Sequence, residues 1–232
     1  GYFDAEASSI IETAFAAKGV KLMLGAKVSR CETAGQGARV ATDNGMSLDA
    51  DLLLVAAGVA PVTDFLAGSG VAVDRGVLVD DTMRSSADGI WAAGDVAQAK
   101  GLYDEAKTLN GILPSAVEQG RIAGMAMAGD PAVKPWPGGV PLNTYTFFGQ
   151  QAVSVGNQNE GEVVRHEADD KHYLKIVMKD NFLTGIFGIN VPFDPGVMWE
   201  IILRRIDLSP VREAFIAEPQ KTARAIMSKT WR

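Results

Sequence analysis

The seven residues Ile90-Trp-Ala-Ala-Gly-Asp-Val96 hold the side-chain types in this chain that are best placed to do chemistry. An apolar run stops at a Gly-Asp pair, so a strand would end in a sharp turn that presents one carboxylate beside bare backbone. Gly94 has no side chain, and a ligand can approach its main chain closely. Asp95 can accept hydrogen bonds from vicinal hydroxyls such as those of a ribitol or a ribose, with Val96 completing the turn. That is nucleotide-cofactor chemistry. The same seven residues also suit a buried strand that merely ends in a Gly-Asp turn, and the surroundings decide between the two.

Several flanking elements must position that turn. Upstream, Asp51-Leu-Leu-Leu-Val-Ala-Ala-Gly58-Val-Ala-Pro61 is continuously apolar rather than alternating, which predicts a strand over residues 51–57 buried on both faces. Residues 76–89 lie between. Downstream, Leu113-Pro-Ser-Ala-Val-Glu-Gln-Gly-Arg-Ile-Ala-Gly124 predicts a long helix opening near Pro114, because proline suits the first helical position. The start of a helix leaves backbone N–H groups without partners, so Pro114, Ser115 and Ala116 mark an end that can face a ligand. Ala116, Gly120, Ala123, Gly124 and Ala128 recur at three- and four-residue intervals, and this stripe of small residues predicts close packing against a sheet.

These four segments, in this order and spacing, resemble the flavoproteins with two dinucleotide-binding domains, the pyridine nucleotide-disulfide oxidoreductase superfamily, over almost the whole chain. The resemblance implies an α/β fold: the remainder of two Rossmann-like dinucleotide-binding domains followed by an α+β interface, or dimerisation, domain. It implies FAD and NAD(P)H as cofactors, with Gly58, Gly94, Asp95, Val96, Pro114, Ser115, Ala116 and Phe148 as the binding candidates and no catalytic side chain assigned. Asp95 would hold the FAD ribitol or an adjoining hydroxyl. The helix end at Pro114 would face the flavin N1/O2 edge, where its partial positive charge would stabilise the anionic reduced ring. Hydride would pass from NAD(P)H to the flavin and on to an acceptor: oxygen, a disulfide or a small electron-transfer protein.

The family's two GxGxxG phosphate-binding turns are missing. Gly35-Gln-Gly37 and Gly68-Ser-Gly70 lack the third glycine three positions on, and both read as turns. The chain therefore reads as the C-terminal portion of a longer oxidoreductase, and by itself it is expected to be colourless. The alternative is a non-catalytic assembly or dimerisation module that binds no cofactor.

On this reading residues 1–61 are the C-terminal half of the NAD(P)-binding domain, 62–135 the returning part of the FAD-binding domain and 136–232 the interface domain, with residues 131–141 a Pro/Gly-rich linker. Apolar Ala7, Ile10, Ile11, Ala14 and Phe15 share one face of a helix over residues 4–18, closed by Gly19. A strand is expected at 20–24. Alternation at 26–32, 38–42 and 46–48 predicts an antiparallel meander with turns at 35–37 and 44–45. A short helix near Asp64 and strands at 77–79 and 90–93 complete the first half. Residues 143–156 and 173–189 are strand-rich, and helices follow at 195–206, 209–215 and 219–229. Met198, Trp199, Ile202 and Phe215 make those helices apolar enough to seek a partner surface, so a homodimer is expected.

A chain of 232 residues with 47% hydrophobic content can bury a sizeable core, and its net charge of -6 argues against a nucleic-acid partner. No apolar run reaches the ~20 residues of a membrane span, and no leader is evident, so a soluble cytoplasmic protein is expected. The single cysteine, Cys31, excludes an internal disulfide, and its alternating surroundings predict a packed structural thiol. His166 and His172 fall in a polar turn region, where an exposed histidine is ordinary, and with one distant cysteine they make no metal site. The His-Glu pair of glutathione-reductase-like members is absent. The resemblance is therefore to the NADH oxidase, coenzyme A-disulfide reductase and rubredoxin reductase-like branch, whose partners would be a small redox protein or a thiol/disulfide substrate. It also places Tyr145, Phe147 and Phe148 on a strand near the isoalloxazine, although core packing is an equal reading. Alternation puts Tyr145 and Phe147 on one face and Phe148 on the other.

Overall fold

The computed structural model describes residues 2–103 and 106–230. It divides into two compact units, Ile11–Ala60 and a larger one made of Gly1–Ile10 with Pro61–Arg232.

Helix α1 (Ala5–Ala16) contributes to both units. Asp4 starts it by accepting the Ala7 N–H at 3.0 Å, an N-cap that satisfies one of the donors a helix start leaves over. Gly19, at φ +79°, ends it in the left-handed conformation that glycine adopts without strain. In the smaller unit, strands β1 (Val28–Ala34), β2 (Gly37–Thr42) and β3 (Ser47–Ala50) form the predicted antiparallel meander, in the order β1-β2-β3.

Two expectations fail in this unit. Residues 20–24 and 51–57 form no strand, and Leu52, Leu54 and Val59 are 84%, 85% and 94% exposed. A doubly buried strand needs neighbours on both edges and cover on both faces; among the described residues none pairs with either segment, so the apolar pattern has nothing to bury against. Cys31 is likewise exposed rather than packed, because β1 lies open along nearly its whole length.

The larger unit has two cores. In the first, β4 (Val77–Leu78) pairs parallel with β5 (Ala97–Lys100), which pairs antiparallel with β6 (Lys107–Leu109). Helix α2 (Leu113–Met127) packs Ile122 and Ala123 against Val77, Val79, Met83, Ala97 and Ala99. The short helix expected near Asp64 is a 3-10 turn, Asp64–Leu66. The strand expected at 90–93 is reduced to a single bridge between Arg84 and Trp91, because the chain breaks at once into a second 3-10 turn at Gly94–Val96. Residues 131–141 are no free linker. Trp136 is fully buried in this core and its indole N–H donates to the Lys100 carbonyl at 3.1 Å, which fixes the proline-rich stretch in place.

The second core lies under a five-stranded antiparallel sheet of β7 (Leu142–Phe147), β8 (Gln150–Gly156), β9 (Glu162–Ala168), β10 (Tyr173–Lys179) and β11 (Phe182–Ile189), ordered β7-β8-β11-β10-β9. Helices α3 (Pro195–Leu203), α4 (Arg212–Ala217) and α5 (Pro219–Thr230) follow, near the predicted positions. Asp194 caps α3 through the Gly196 and Val197 N–H groups. Met198, Trp199, Ile202 and Phe215 all sit in this core, so the apolar residues expected to seek a partner chain are satisfied internally.

Candidate cofactor site

The Gly-Asp turn is built against the start of α2. Ala93 is extended, and at Gly94 the chain switches to φ +79°, a conformation that side-chain-bearing residues adopt only at a cost of about 1–2 kcal/mol. The Gly94 N–H donates to the Gln119 side-chain oxygen at 2.8 Å, and Gln119 is buried on α2. A Cβ placed on Gly94 would lie 3.4 Å from the Ala116 Cβ, so the turn rests directly on the first turn of the helix. Asp95 leans over Gly111, where an added Cβ would meet its carboxylate at 3.3 Å. Its carboxylate is exposed and takes no hydrogen bond among the described residues. A carboxylate beside bare backbone, open to solvent and unspent, is what recognition of a vicinal diol requires.

The end of α2 that faces this turn carries no side-chain cap. Ile112 occupies the N-cap position in extended conformation, and Pro114 in the first turn has no N–H at all. The remaining first-turn donors and the helix dipole together favour a negative group here. Ser115 is engaged differently: it is buried, and its hydroxyl accepts from the Asn110 amide at 3.0 Å, which holds the loop that leads into the helix.

The structure thus gathers Gly94, Asp95, Val96, Pro114, Ser115 and Ala116 in one place. Gly58, with φ +96°, belongs to the smaller unit. Phe148 is not on a strand. With φ +51° it shares a two-residue turn with Gly149 (φ +78°) between β7 and β8, the left-handed pair that a tight hairpin demands, and it is 46% exposed. Tyr145 and Phe147 do share a face, with ring centroids 5.3 Å apart.

Gln119 escaped the sequence reading. Its signal was present, because Ser115, Gln119, Ile122 and Ala123 fall on one buried helical face and an amide in such a row needs a partner. The histidines stay away from the site. His172 pairs with Asp169 at 3.0 Å in a turn, while His166 lies on β9 rather than in the turn expected for it, 2.7 Å from Glu6. The backbone N–H groups of Lys171 and His172 hold the Asp169 carboxyl down at about 2. Among the described residues no cluster of histidine, cysteine and carboxylate could hold a metal ion, and no helix is long and apolar enough to cross a membrane.

Comparison with known proteins sets this geometry in a family. Residues 1–120 match the family described as pyridine nucleotide-disulphide oxidoreductase. The chain belongs to it. Among curated relatives of this chain, the epsilon subunit of NADH-dependent phenylglyoxylate dehydrogenase from Aromatoleum evansii is 52% identical over 237 residues, covering 100% of this chain and 56% of the relative. The ferredoxin--NAD(+) reductase component of the biphenyl dioxygenase system from Paraburkholderia xenovorans is 29% identical over 194 residues, covering 82% of this chain and 47% of the relative. The chain spans about half the length of both. The α/β fold matches that of a FAD-dependent pyridine nucleotide-disulphide oxidoreductase from Desulfovibrio vulgaris with a TM-score of 0.75 at 23% identity, over 99% of this chain and 62% of that one.

Proposed function

We propose that this chain is part of an FAD-dependent oxidoreductase that exchanges hydride with NAD(P)H. The observation that carries the reading is the Asp95 carboxylate, exposed and without a hydrogen-bond partner among the described residues, on a glycine turn pinned to a helix start with no side-chain cap. Neither feature helps packing, and both suit a flavin nucleotide. FAD, when bound, supplies the redox chemistry, accepting or giving up hydride at its ring. The residues of the chain place it. Asp95 accepts from a sugar-alcohol hydroxyl, Gly94 and Val96 allow close backbone approach, and the α2 start at Pro114 and Ala116 offsets negative charge on the ring edge. Gly58 and Phe148 join this set on family resemblance alone.

The electron partner is read from the relatives' names. The ferredoxin--NAD(+) reductase component among them supports exchange with a protein redox carrier, in preference to oxygen or a disulfide. The assembly-module alternative is weaker, because Met198, Trp199, Ile202 and Phe215 are already buried within one chain. A homodimer would have to use other residues, such as exposed Tyr145 and Val163. The direct test is anaerobic titration of the complete flavoprotein with NADH. Bleaching of a flavin absorbance band in proportion to added NADH supports the reading, and a complete protein that purifies without flavin and takes none up contradicts it.

A further inference from the structure

Beside the Gly-Asp turn, a trough of about 910 Å³ opens between α2, α3 and residues 134–137. Its walls are fixed from within. Trp136 is buried, its main-chain N–H donates to the Asp81 carbonyl at 2.7 Å, and its indole is held by Lys100, so Pro135 and Pro137 on either side of it face outward as one wall. Trp199 on α3 is buried too, and its indole N–H donates to the Val140 carbonyl at 3.1 Å, which sets the floor. Leu113 and Val117, one turn apart on α2, both stand exposed at the rim. Two large aliphatic side chains at i and i+4, open to water beside an apolar floor, form a patch of the kind that another protein covers.

Charge around the patch selects the occupant. Arg121 pairs with Glu118 and Arg204 with Glu200, both at 2.5 Å, and in each pair the guanidinium is the more exposed partner, 48% against 31% and 45% against 26%. Lys134 is exposed and makes no ion pair among the described residues. The outward rim is therefore positive, in a chain whose net charge is -6. An apolar centre inside a charged rim is the layout of a protein–protein interface, and a positive rim complements an acidic partner. A second copy brought here by a two-fold axis would set cations against cations. A small molecule would lie largely uncovered in so open a trough. The trough also starts where the cofactor set ends, because Pro114 belongs to both.

We propose that this trough docks an acidic protein redox carrier, with Leu113 and Val117 at the apolar centre of the contact and Arg121, Lys134 and Arg204 steering the carrier's acidic surface. The proposal rests on the oxidoreductase reading above and adds where the carrier sits. One NADH reduces two one-electron carriers and releases one proton. Apolar burial at the centre holds the docked carrier, while the rim charges set how fast it arrives.

Steady-state kinetics of the complete flavoprotein test it, with NADH as donor and an acidic [2Fe–2S] ferredoxin as acceptor. Benzoquinone, small and neutral, serves as a second acceptor that needs no docking. Lys134→Glu should lower kcat/KM for ferredoxin about fivefold at low ionic strength, and the difference should shrink as salt is raised. Val117→Asn should lower it about five- to tenfold through KM, with little dependence on salt. Both variants should match the parent with benzoquinone. Lys171→Glu, in the exposed turn before β10, makes the same charge change elsewhere and should leave ferredoxin turnover as it was. Docking at the trough is overturned if Lys134→Glu and Val117→Asn leave ferredoxin kinetics unaltered, or if Lys171→Glu slows them as much. Lower melting temperatures in the two trough variants with ferredoxin kinetics unchanged would also overturn it, since the complete protein would then fill the trough with its own chain. A parent that reduces benzoquinone but not ferredoxin contradicts the docking alone, whereas one that reduces neither overturns the oxidoreductase reading and the docking with it.

Discussion

The Gly94 N–H donates to the Gln119 side-chain oxygen at 2.8 Å, and this bond ties the Gly-Asp turn to the helix beside it. Gln119 is buried, so the bond is shielded from water and its loss leaves a donor stranded.

Gln119→Leu should therefore lower the stability of the chain by about 1–3 kcal/mol, the range for an unsatisfied buried polar group. It should also weaken FAD binding by the complete protein, since Asp95 rides on the same turn. Chemical denaturation gives the first effect and flavin titration the second. Stability within a few tenths of a kcal/mol of the parent would show that the turn holds its place without the amide.

Gln98 offers a comparable test in the neighbouring sheet. Its oxygen accepts the Arg75 and Gly76 N–H groups at 3.0 and 3.1 Å, and its nitrogen donates to Asp74 and the Lys107 carbonyl at 2.9 and 3.2 Å. All four hydrogen-bonding capacities of a buried amide are filled, which makes substitution costly. Gln98→Ala is expected to destabilise by about 2–4 kcal/mol, seen as a fall of several degrees in melting temperature. Gln98→Glu should also destabilise, because it removes both donors and buries a charge.

Asp4 gives the stability curve an acid limb. Burial raises the Asp4 carboxyl, but hydrogen bonds from Tyr173, the Ala7 N–H and Lys175 outweigh it and leave the group below its ordinary value of 3.8. A carboxyl whose folded-state value is depressed stabilises the fold fully above the unfolded value, and that stabilisation is lost as pH falls through the folded one. At neutral pH Asp4→Asn should cost about 1–2 kcal/mol. The gap between parent and variant should narrow as pH drops below 3.8. A gap that stays constant down to pH 2 would mean that Asp4 is not ionised in the fold.

How much of this was legible in the sequence depended on where each segment finds its partners. Strands β1 to β3 pair with their immediate neighbours, so alternation and glycine turns were enough to place them. Residues 51–57 carried as strong an apolar pattern, yet a doubly buried strand is specified by distant partners that the pattern cannot supply, and they lie exposed. Phe148 reads as part of a strand because it lies inside the strand-rich stretch 143–156. Gly149 was the overlooked cue, since a hairpin of two left-handed residues needs it. Around Gly94 and Asp95, the turn and the helix start beside it were readable as local structure from residue type and spacing, while a cofactor role for them came from the family resemblance. Gln119 was not, because its role depends on a contact 25 positions away. Asp4, Tyr173 and Lys175 left no mark at all, since a polar residue gives no sign in sequence of a partner some 170 positions distant.

The account rests most heavily on Asp95 as an unspent acceptor for a flavin hydroxyl, and its direct measurement is the FAD dissociation constant of the complete protein with Asp95 and with Asp95→Ala. Losing a hydrogen bond to a charged group costs about 1.5–3 kcal/mol, so the variant should bind FAD about one to two orders of magnitude more weakly. Its melting temperature without cofactor should be unchanged, because Asp95 makes no hydrogen bond within the described residues. Equal affinity in parent and variant would contradict the assignment. So would a weakened variant whose cofactor-free stability falls as well, which would make Asp95 a structural residue.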